Sequence, residues 1–205
     1  MASVGDSFGW PFQDSGWFGK IIVQGLIAII PIVGWIALVG WMLLTLDNYR
    51  AGRRELAPAG FHLERGAGLF VVYFVYAIVF SIPGGFISGI GSASGTRAFA
   101  SLGSLVSFAL SLLLAFLAPA IILRTYRAGM AAGFDISGVW QLATANTNNT
   151  IVAGLLIWVA GIIGGLGIIL CCVGLLFSLP YAVAVTAGVV AWYEQAVAGS
   201  TPAVG

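Results

Sequence analysis

Four stretches of this chain contain no Asp, Glu, Lys, Arg or His: residues 21–46, 66–96, 98–123 and 136–193. No other feature restricts the fold so strongly. About 20 consecutive apolar residues are what a helix needs to cross the roughly 30 Å hydrocarbon core of a bilayer. Charge is scarce throughout, with 8 Lys or Arg and 7 Asp or Glu in 205 residues, and 60% of the chain is hydrophobic. A soluble domain of this length carries roughly 50 charged residues, and its surface is too large to hide so much apolar material. The expected class is therefore an all-α, polytopic transmembrane helical bundle, with the lipid bilayer as its first partner.

The runs divide into spans by length. The first, 21–46, is about 39 Å long as a helix and crosses once with tilt. Pro31-Ile32-Val33-Gly34 kinks it, or splits it into a short helical hairpin. The stretch Gly84 to Gly95, rich in Gly and Ser, reads as a loosened helix end and a turn. The last run is too long for one span. Its polar first part, Ile136 to Asn149, lies outside the core, and the rest breaks near Cys171–Gly174. Five spans result, at 21–46, 67–90, 99–123, 150–170 and 173–193, and six segments if the first run splits. The transmembrane domain covers 20–195, and 196–205 form a short tail.

Residues 1–19 place no Lys or Arg before an apolar core, unlike a cleavable signal peptide. They hold Phe8, Trp10, Phe12, Trp17 and Phe18 around Pro11. Aromatic rings at this density beside a span suit the headgroup layer, so the expectation is an interfacial segment lying on the membrane.

Orientation follows from basic residues in short loops. Arg50, Arg53, Arg54 and Arg65 follow the first span, and Arg124 and Arg127 follow the third, against Lys20 and Arg97 on the other side. Six against two puts the loops at 47–66 and 124–149 in the cytoplasm and the chain in the cell inner (cytoplasmic) membrane. A split first run moves Lys20 across and sharpens the bias to seven against one. A repeat accompanies this pattern: Tyr49-Arg50-Ala51-Gly52 returns as Tyr126-Arg127-Ala128-Gly129, and Gly60-Phe61 as Gly133-Phe134. Both copies end a span on the same side, so a duplication would have given parallel repeats, not inverted ones.

Function is constrained mainly by what the spans lack. Intramembrane ionisable residues mark proton relays and ion paths, and these spans hold only Gln24, Thr45 and scattered Ser and Thr as polar side chains. A proton-coupled transporter is disfavoured; a passive or lipid pathway, lined by Gln24, Thr45, Ser107 and Ser111, stays open. His62 is the single histidine, and no nucleophile, metal-ligand or phosphate-loop motif appears. No enzyme, cofactor or metal is expected. The net charge of +1 excludes a nucleic-acid partner. Adjacent Cys171 and Cys172 read as small buried apolar residues.

Glycine, at 29 of 205 residues, is about twice its usual share, and its placement is informative. Gly103, Ser107, Ser111 and Ala115 form one small-residue stripe, Gly154, Gly161 and Gly165 another, and Gly85 and Gly89 a shorter one. Small residues let helix backbones approach closely in lipid. These stripes are the candidate interfaces, either within the bundle or with a second copy or a larger membrane complex. Arg50, Arg53, Arg54 and Arg127 are candidate contacts for anionic headgroups.

An aromatic–Pro–aromatic lead-in with Asp14, Trp17 and Lys20, a Gly/Pro-punctuated first span ending in Tyr-Arg, and the two-helix half from Asn148 to Tyr193 carry a resemblance. The chain resembles a family of prokaryotic integral membrane proteins known only as domain of unknown function four-zero-one-three. It is similar, more distantly, to the membrane domain of some glycerophosphodiester phosphodiesterases. The family pattern has Leu-Pro-x-aromatic-x-Asp after the first span, whereas this chain has Leu56-Ala57-Pro58-Ala59-Gly60-Phe61. The resemblance implies a multi-span α-helical bundle and no catalytic residues. The function expected is that of a non-catalytic structural or accessory membrane protein, with a passive transporter, channel or lipid-handling protein as the alternative.

Overall fold

The computed structural model describes residues 5–170 and 173–200. Cys171, Cys172, the first four residues and the end of the tail lie outside them. The described residues form helices α1 (Asp6–Gly9), α2 (Trp17–Ala28), α3 (Val33–Arg50), α4 (Leu63–Ala93), α5 (Arg97–Ala128), α6 (Met130–Phe134), α7 (Ile136–Ala145), α8 (Thr147–Leu166) and α9 (Val173–Ser200), and no strand. Tight 3-10 turns cover Trp10–Gln13 and Gly167–Leu170. Among the described residues, four helices are long and apolar enough to cross a membrane: α4, α5, α8 with its 3-10 extension, and α9. The protein is an all-α membrane bundle.

The first apolar run does not cross as one helix. It breaks at Ile29–Ile32 into α2 and α3, which fold back on each other as the hairpin alternative requires. Pro31 lacks an N–H and disfavours helix at the residue before it. Ile32 takes φ +64°, rare for a β-branched residue. Gly34 then packs directly on α2: a Cβ there would stand 2.2 Å from the Ile27 carbonyl oxygen. The N–H groups of Ile29, Ile30, Val33 and Gly34 all find carbonyls within the turn, which an apolar surround demands. With 12 residues, α2 is about 18 Å long and too short to span. The tip side chains Ile29, Ile32 and Trp35 face outward, so the hairpin enters the apolar layer and returns. Lys20, at its start, reaches the Leu56 carbonyl oxygen beyond its end at 2.8 Å.

The Gly/Ser-rich stretch after Gly84, expected as a frayed end and turn, remains helical to Ala93. Its small residues admit α5: a Cβ on Gly84 would meet Ser107 Oγ at 2.0 Å, and one on Gly91 would meet the Ala100 nitrogen at 2.4 Å. The turn comes later, at Gly95 with φ +65°. At 31 and 32 residues, α4 and α5 are about 46–48 Å long. The shared core engages only the halves nearer Arg65 and Arg127. From Ile78 to Leu113 the two helices pack mainly on each other and expose their outer apolar faces.

The centre of the bundle is α9. Ala182, Ala184, Val185, Ala187, Val189, Val190 and Ala191 are all buried, packed against α2, α3, α5 and α8. Side chains this small let neighbours approach from every side.

The amino-terminal aromatics divide. Trp10 is 1% exposed and sits edge-on to Tyr49, beside Gly188 of α9. Phe12 and Phe18 face outward. The segment is thus tied into the protein through Trp10 and not merely laid on a surface.

Lys20, the loop after α3, Arg65, Arg127 and Glu194 all meet at one end of the bundle, with Arg97 at the other. Single cysteines at Ser15, Ala51 and Ala131, in a background lacking Cys171 and Cys172, are expected to react with an impermeant thiol reagent from the same side of sealed vesicles. A cysteine at Ser94 should react from the opposite side. Reaction of Ser15 with Ser94 would mean that residues 21–46 cross as one span.

Candidate functional site: the charged end of the bundle

The charged end is organised around one carboxylate. Glu194, on the last turns of α9, is 8% exposed. Arg50 of α3 approaches it with Nε at 2.7 Å and Nη2 at 3.0 Å. Arg127 of α5 approaches with Nη2 at 2.7 Å and Nε at 2.9 Å. The arginines are those of the two Tyr-Arg-Ala-Gly copies, and each copy ends its helix at a glycine of positive φ, Gly52 at +75° and Gly129 at +82°. Glycine favours that conformation at a helix end. The repeat therefore places two guanidinium groups at matching heights on two helices, where one acid can hold both.

The network continues sideways. Arg50 Nη1 donates to the Tyr126 hydroxyl at 2.6 Å, Tyr126 donates to Asp47, and Arg65 Nη2 donates to Asp47 at 2.9 Å. Arg50 and Arg65 also lie over the Tyr126 ring, 5.0 and 5.4 Å from its centroid, at cation–π distance. One connected set of polar contacts thus joins α3, α4, α5 and α9.

A second cluster binds the loop at 56–60 into the α2–α3 hairpin. Asp14, 5% exposed, accepts from Lys20 Nζ at 2.6 Å, Leu56 N at 2.9 Å and Gly16 N at 2.7 Å. Burial alone pushes its carboxyl up, but the Lys20 ammonium and the two backbone N–H groups overcome this and hold it below its ordinary 3.8. Trp41 Nε1 donates to the Ala57 carbonyl at 2.9 Å, Ala57 N donates to Thr45 Oγ1 at 3.2 Å, and Gly60 N donates to Gln24 Oε1 at 3.0 Å. Gln24 and Thr45, the polar side chains of the first apolar run, thus serve a loop backbone. The sequence signal for this was the Asp14–Trp17–Lys20 lead-in; its target, the Leu56 backbone, has no side-chain signature.

The candidate headgroup arginines behave differently from one another. Arg50 and Arg127 are committed to Glu194. Arg53 donates to Asn48 Oδ1 at 2.7 Å and Arg54 to Gln13 Oε1 at 2.9 Å, both on the exposed surface. His62 Nε2 lies 2.8 Å from the Pro58 carbonyl oxygen.

The small-residue stripes split as well. Gly103 and Ser107 meet Ser88 and Gly84 of α4, and Gly154 meets the Ala115 backbone, so these four of the seven stripe residues pack within the bundle. Ser111 is exposed and donates to the Phe108 carbonyl of its own helix. Gly161 and Gly165 have nothing within 4 Å of an added Cβ, and neither have Gly85 and Gly89. The glycines that meet α9 are instead Gly164 on α8, near Ala182, and Gly167 at the start of the 3-10 turn that follows, near Ser178. A helical face shifts by one residue between these choices, which a four-residue spacing does not resolve. Gln24, Thr45, Ser107 and Ser111 do not line one cavity.

Helices that cross, a hairpin that enters and returns, and charge confined almost wholly to one end define a polytopic α-helical membrane protein. Its sequence matches the profile of the family described as protein of unknown function (DUF4013) over residues 23–173, and the chain belongs to that family. No curated protein and no solved structure matches it.

Two outcomes test the charged end. Because the folded Asp14 carboxyl titrates below its ordinary value, its contribution is complete above about 3.8 and is lost as the pH falls through the lower folded value. Trp10 fluorescence in detergent should therefore report loosening of the amino-terminal segment only in that acid range, and Asp14→Asn should produce it already at neutral pH. Glu194→Gln should cost about 1–2 kcal/mol, because Arg50 and Arg127 keep an edge in water and screening reduces each pair. A double-mutant cycle with Arg127→Gln should show coupling between the two.

Proposed function

We propose that this protein is a non-catalytic structural or accessory component of a cytoplasmic membrane that assembles, with itself or within a larger membrane complex, through outward small-residue faces. The observation that carries this reading is the split among its glycines. Gly84, Gly91, Gly103 and Gly154 sit where a neighbouring backbone forbids a side chain, whereas Gly85, Gly89, Gly161 and Gly165 meet nothing in the chain. A glycine inside a helix costs about 1 kcal/mol relative to alanine. On an outward face, that cost is offset by close approach of another helix. The long outer half of the α4–α5 pair, packed mainly on itself, offers further surface for such a partner. The arginine-rich end faces the cytoplasm by the basic-residue bias, which the hairpin raises to seven against one by bringing Lys20 to the loop that follows Arg50.

Substitution separates assembly from folding. Gly161→Leu and Gly165→Leu should leave thermal stability in detergent within about 0.5 kcal/mol while lowering the mass of the purified assembly by light scattering or native mass spectrometry. Gly103→Leu and Ser107→Leu should cost about 1–3 kcal/mol by overpacking against α4, whatever the assembly. Unaltered assembly in the α8 pair and in Gly85→Leu would count against the proposal.

A further inference from the structure

The cations at the charged end are not all alike. Lys20, Arg50, Arg65, Arg124 and Arg127 each meet a carboxylate within the chain. Arg53 and Arg54 do not: among the described residues their side-chain partners are two neutral amides, Asn48 Oδ1 at 2.7 Å and Gln13 Oε1 at 2.9 Å. We infer that Arg53 and Arg54 bind the headgroup phosphate of an anionic glycerophospholipid in the leaflet at this end. The inference does not depend on whether the chain assembles with partners.

Three observations specify that ligand. The first is charge left without a counter-ion. An amide oxygen occupies part of a guanidinium fork, neutralises none of its charge and leaves other N–H donors open. Both arginines are exposed, and so is Glu55 beside them. Residues 53–55 therefore sum to +1, two guanidinium groups against one carboxylate. A phosphodiester balances that charge and presents the paired oxygens that a guanidinium fork matches.

The second is fixed geometry. Asn48 braces the loop with both ends of its amide: Oδ1 accepts from Arg53 Nη2, and Nδ2 donates to the Glu55 carbonyl oxygen at 3.1 Å. Arg53 N donates to the Asn48 carbonyl oxygen at 3.0 Å, and Leu56 N to Asp14 Oδ2 at 2.9 Å. The backbone on both sides of the arginines is thus held before any ligand arrives, so binding orders little new structure.

The third is position. Gln13, which holds Arg54, follows Phe12 in the chain. Phe12 is 45% exposed and Phe18 59%. Trp17 joins them edge-on, with ring centroids 4.9 and 5.5 Å away. Outward aromatic rings beside an apolar segment sit at the headgroup level of a bilayer. Arg54 is therefore tethered to a segment whose rings touch lipid, where the nearest anions are lipid phosphates.

The test uses the full chain, lacking Cys171 and Cys172, with bimane on a single cysteine at Ser15. It is reconstituted in phosphatidylcholine vesicles that hold equal fractions of a quencher lipid, a doxyl group near the top of one acyl chain, carried on phosphatidylglycerol or on phosphatidylcholine. The phosphatidylglycerol quencher should be several-fold the more effective at low salt, and the difference should vanish toward ~1 M salt, where screening shortens to about 3 Å. Arg53→Gln with Arg54→Gln should abolish the difference with thermal stability unchanged, because both side chains are exposed. Each single change should lower it, and Glu55→Gln should raise it. Arg97→Gln, which removes a cation at the opposite end, should leave it as it was. Equal quenching by the two lipids, or a preference that survives the double variant, would overturn the inference. Loss of the preference in a few millimolar inorganic phosphate at constant ionic strength would overturn the lipid in favour of free phosphate.

Discussion

The arrangement of the bundle rests on the Glu194 carboxylate. It is the only acid on α9, the helix packed against α2, α3, α5 and α8, and Arg50 of α3 and Arg127 of α5 both hold it. A helix of alanine, valine and glycine slides easily past its neighbours, because one small side chain packs much like the next. Two arginine–carboxylate pairs at one end remove that freedom. They set the height of α9 against α3 and α5, and through Tyr126 and Asp47 they set α4 as well. Once the ends are aligned, the close glycine contacts further along the helices fall into register: Gly25 on Leu176, Gly40 and Gly66 across the α3–α4 junction, Gly154 on Ala115.

The second constraint is the demand of an apolar surround that backbone groups find partners. The loop following α3 folds back beside the hairpin, with Leu56 and Ala57 buried, and would leave several N–H and C=O groups bare. Asp14, Lys20, Gln24, Trp41 and Thr45 supply the missing partners. The loop backbone thus takes up Asp14, Lys20, the Gln24 Oε1, Trp41 and Thr45. This also explains why the amino-terminal segment is part of the fold: Asp14 is the acid that the Leu56 backbone and Lys20 share.

Much was legible in the charge-free runs, since each physical requirement for crossing a membrane is a requirement on composition and length. The all-α class, the helices α4, α5, α8 and α9, and the gathering of basic residues at one end follow from residue types alone. The Tyr-Arg-Ala-Gly copies were visible as a repeat. Their meaning was not, because their common ligand, Glu194, lies 67 residues beyond the second copy and has no neighbour in sequence that marks it. Among the stripes, spacing identified the right helices and only some of the right glycines, because a stripe says that a close approach is possible without saying which neighbour makes it.

Membrane residence, helical class and charge polarity were thus settled by sequence, because apolarity, length and charge are properties of residues. Whether 21–46 cross or return was decided in three dimensions. Pro31 permits either a kink or a turn, and the hairpin forms because Gly34 can lie on the Ile27 backbone while Lys20 is drawn to Asp14 and the Leu56 carbonyl at the same end. An apolar cavity under α7 is likewise a tertiary product. Its walls, Tyr76 of α4, Leu117 of α5, Phe134 of α6 and Val139 of α7, each lie in an ordinary apolar sequence, and they enclose space only where Val139 and Ala143 pack α7 against α4 and α5.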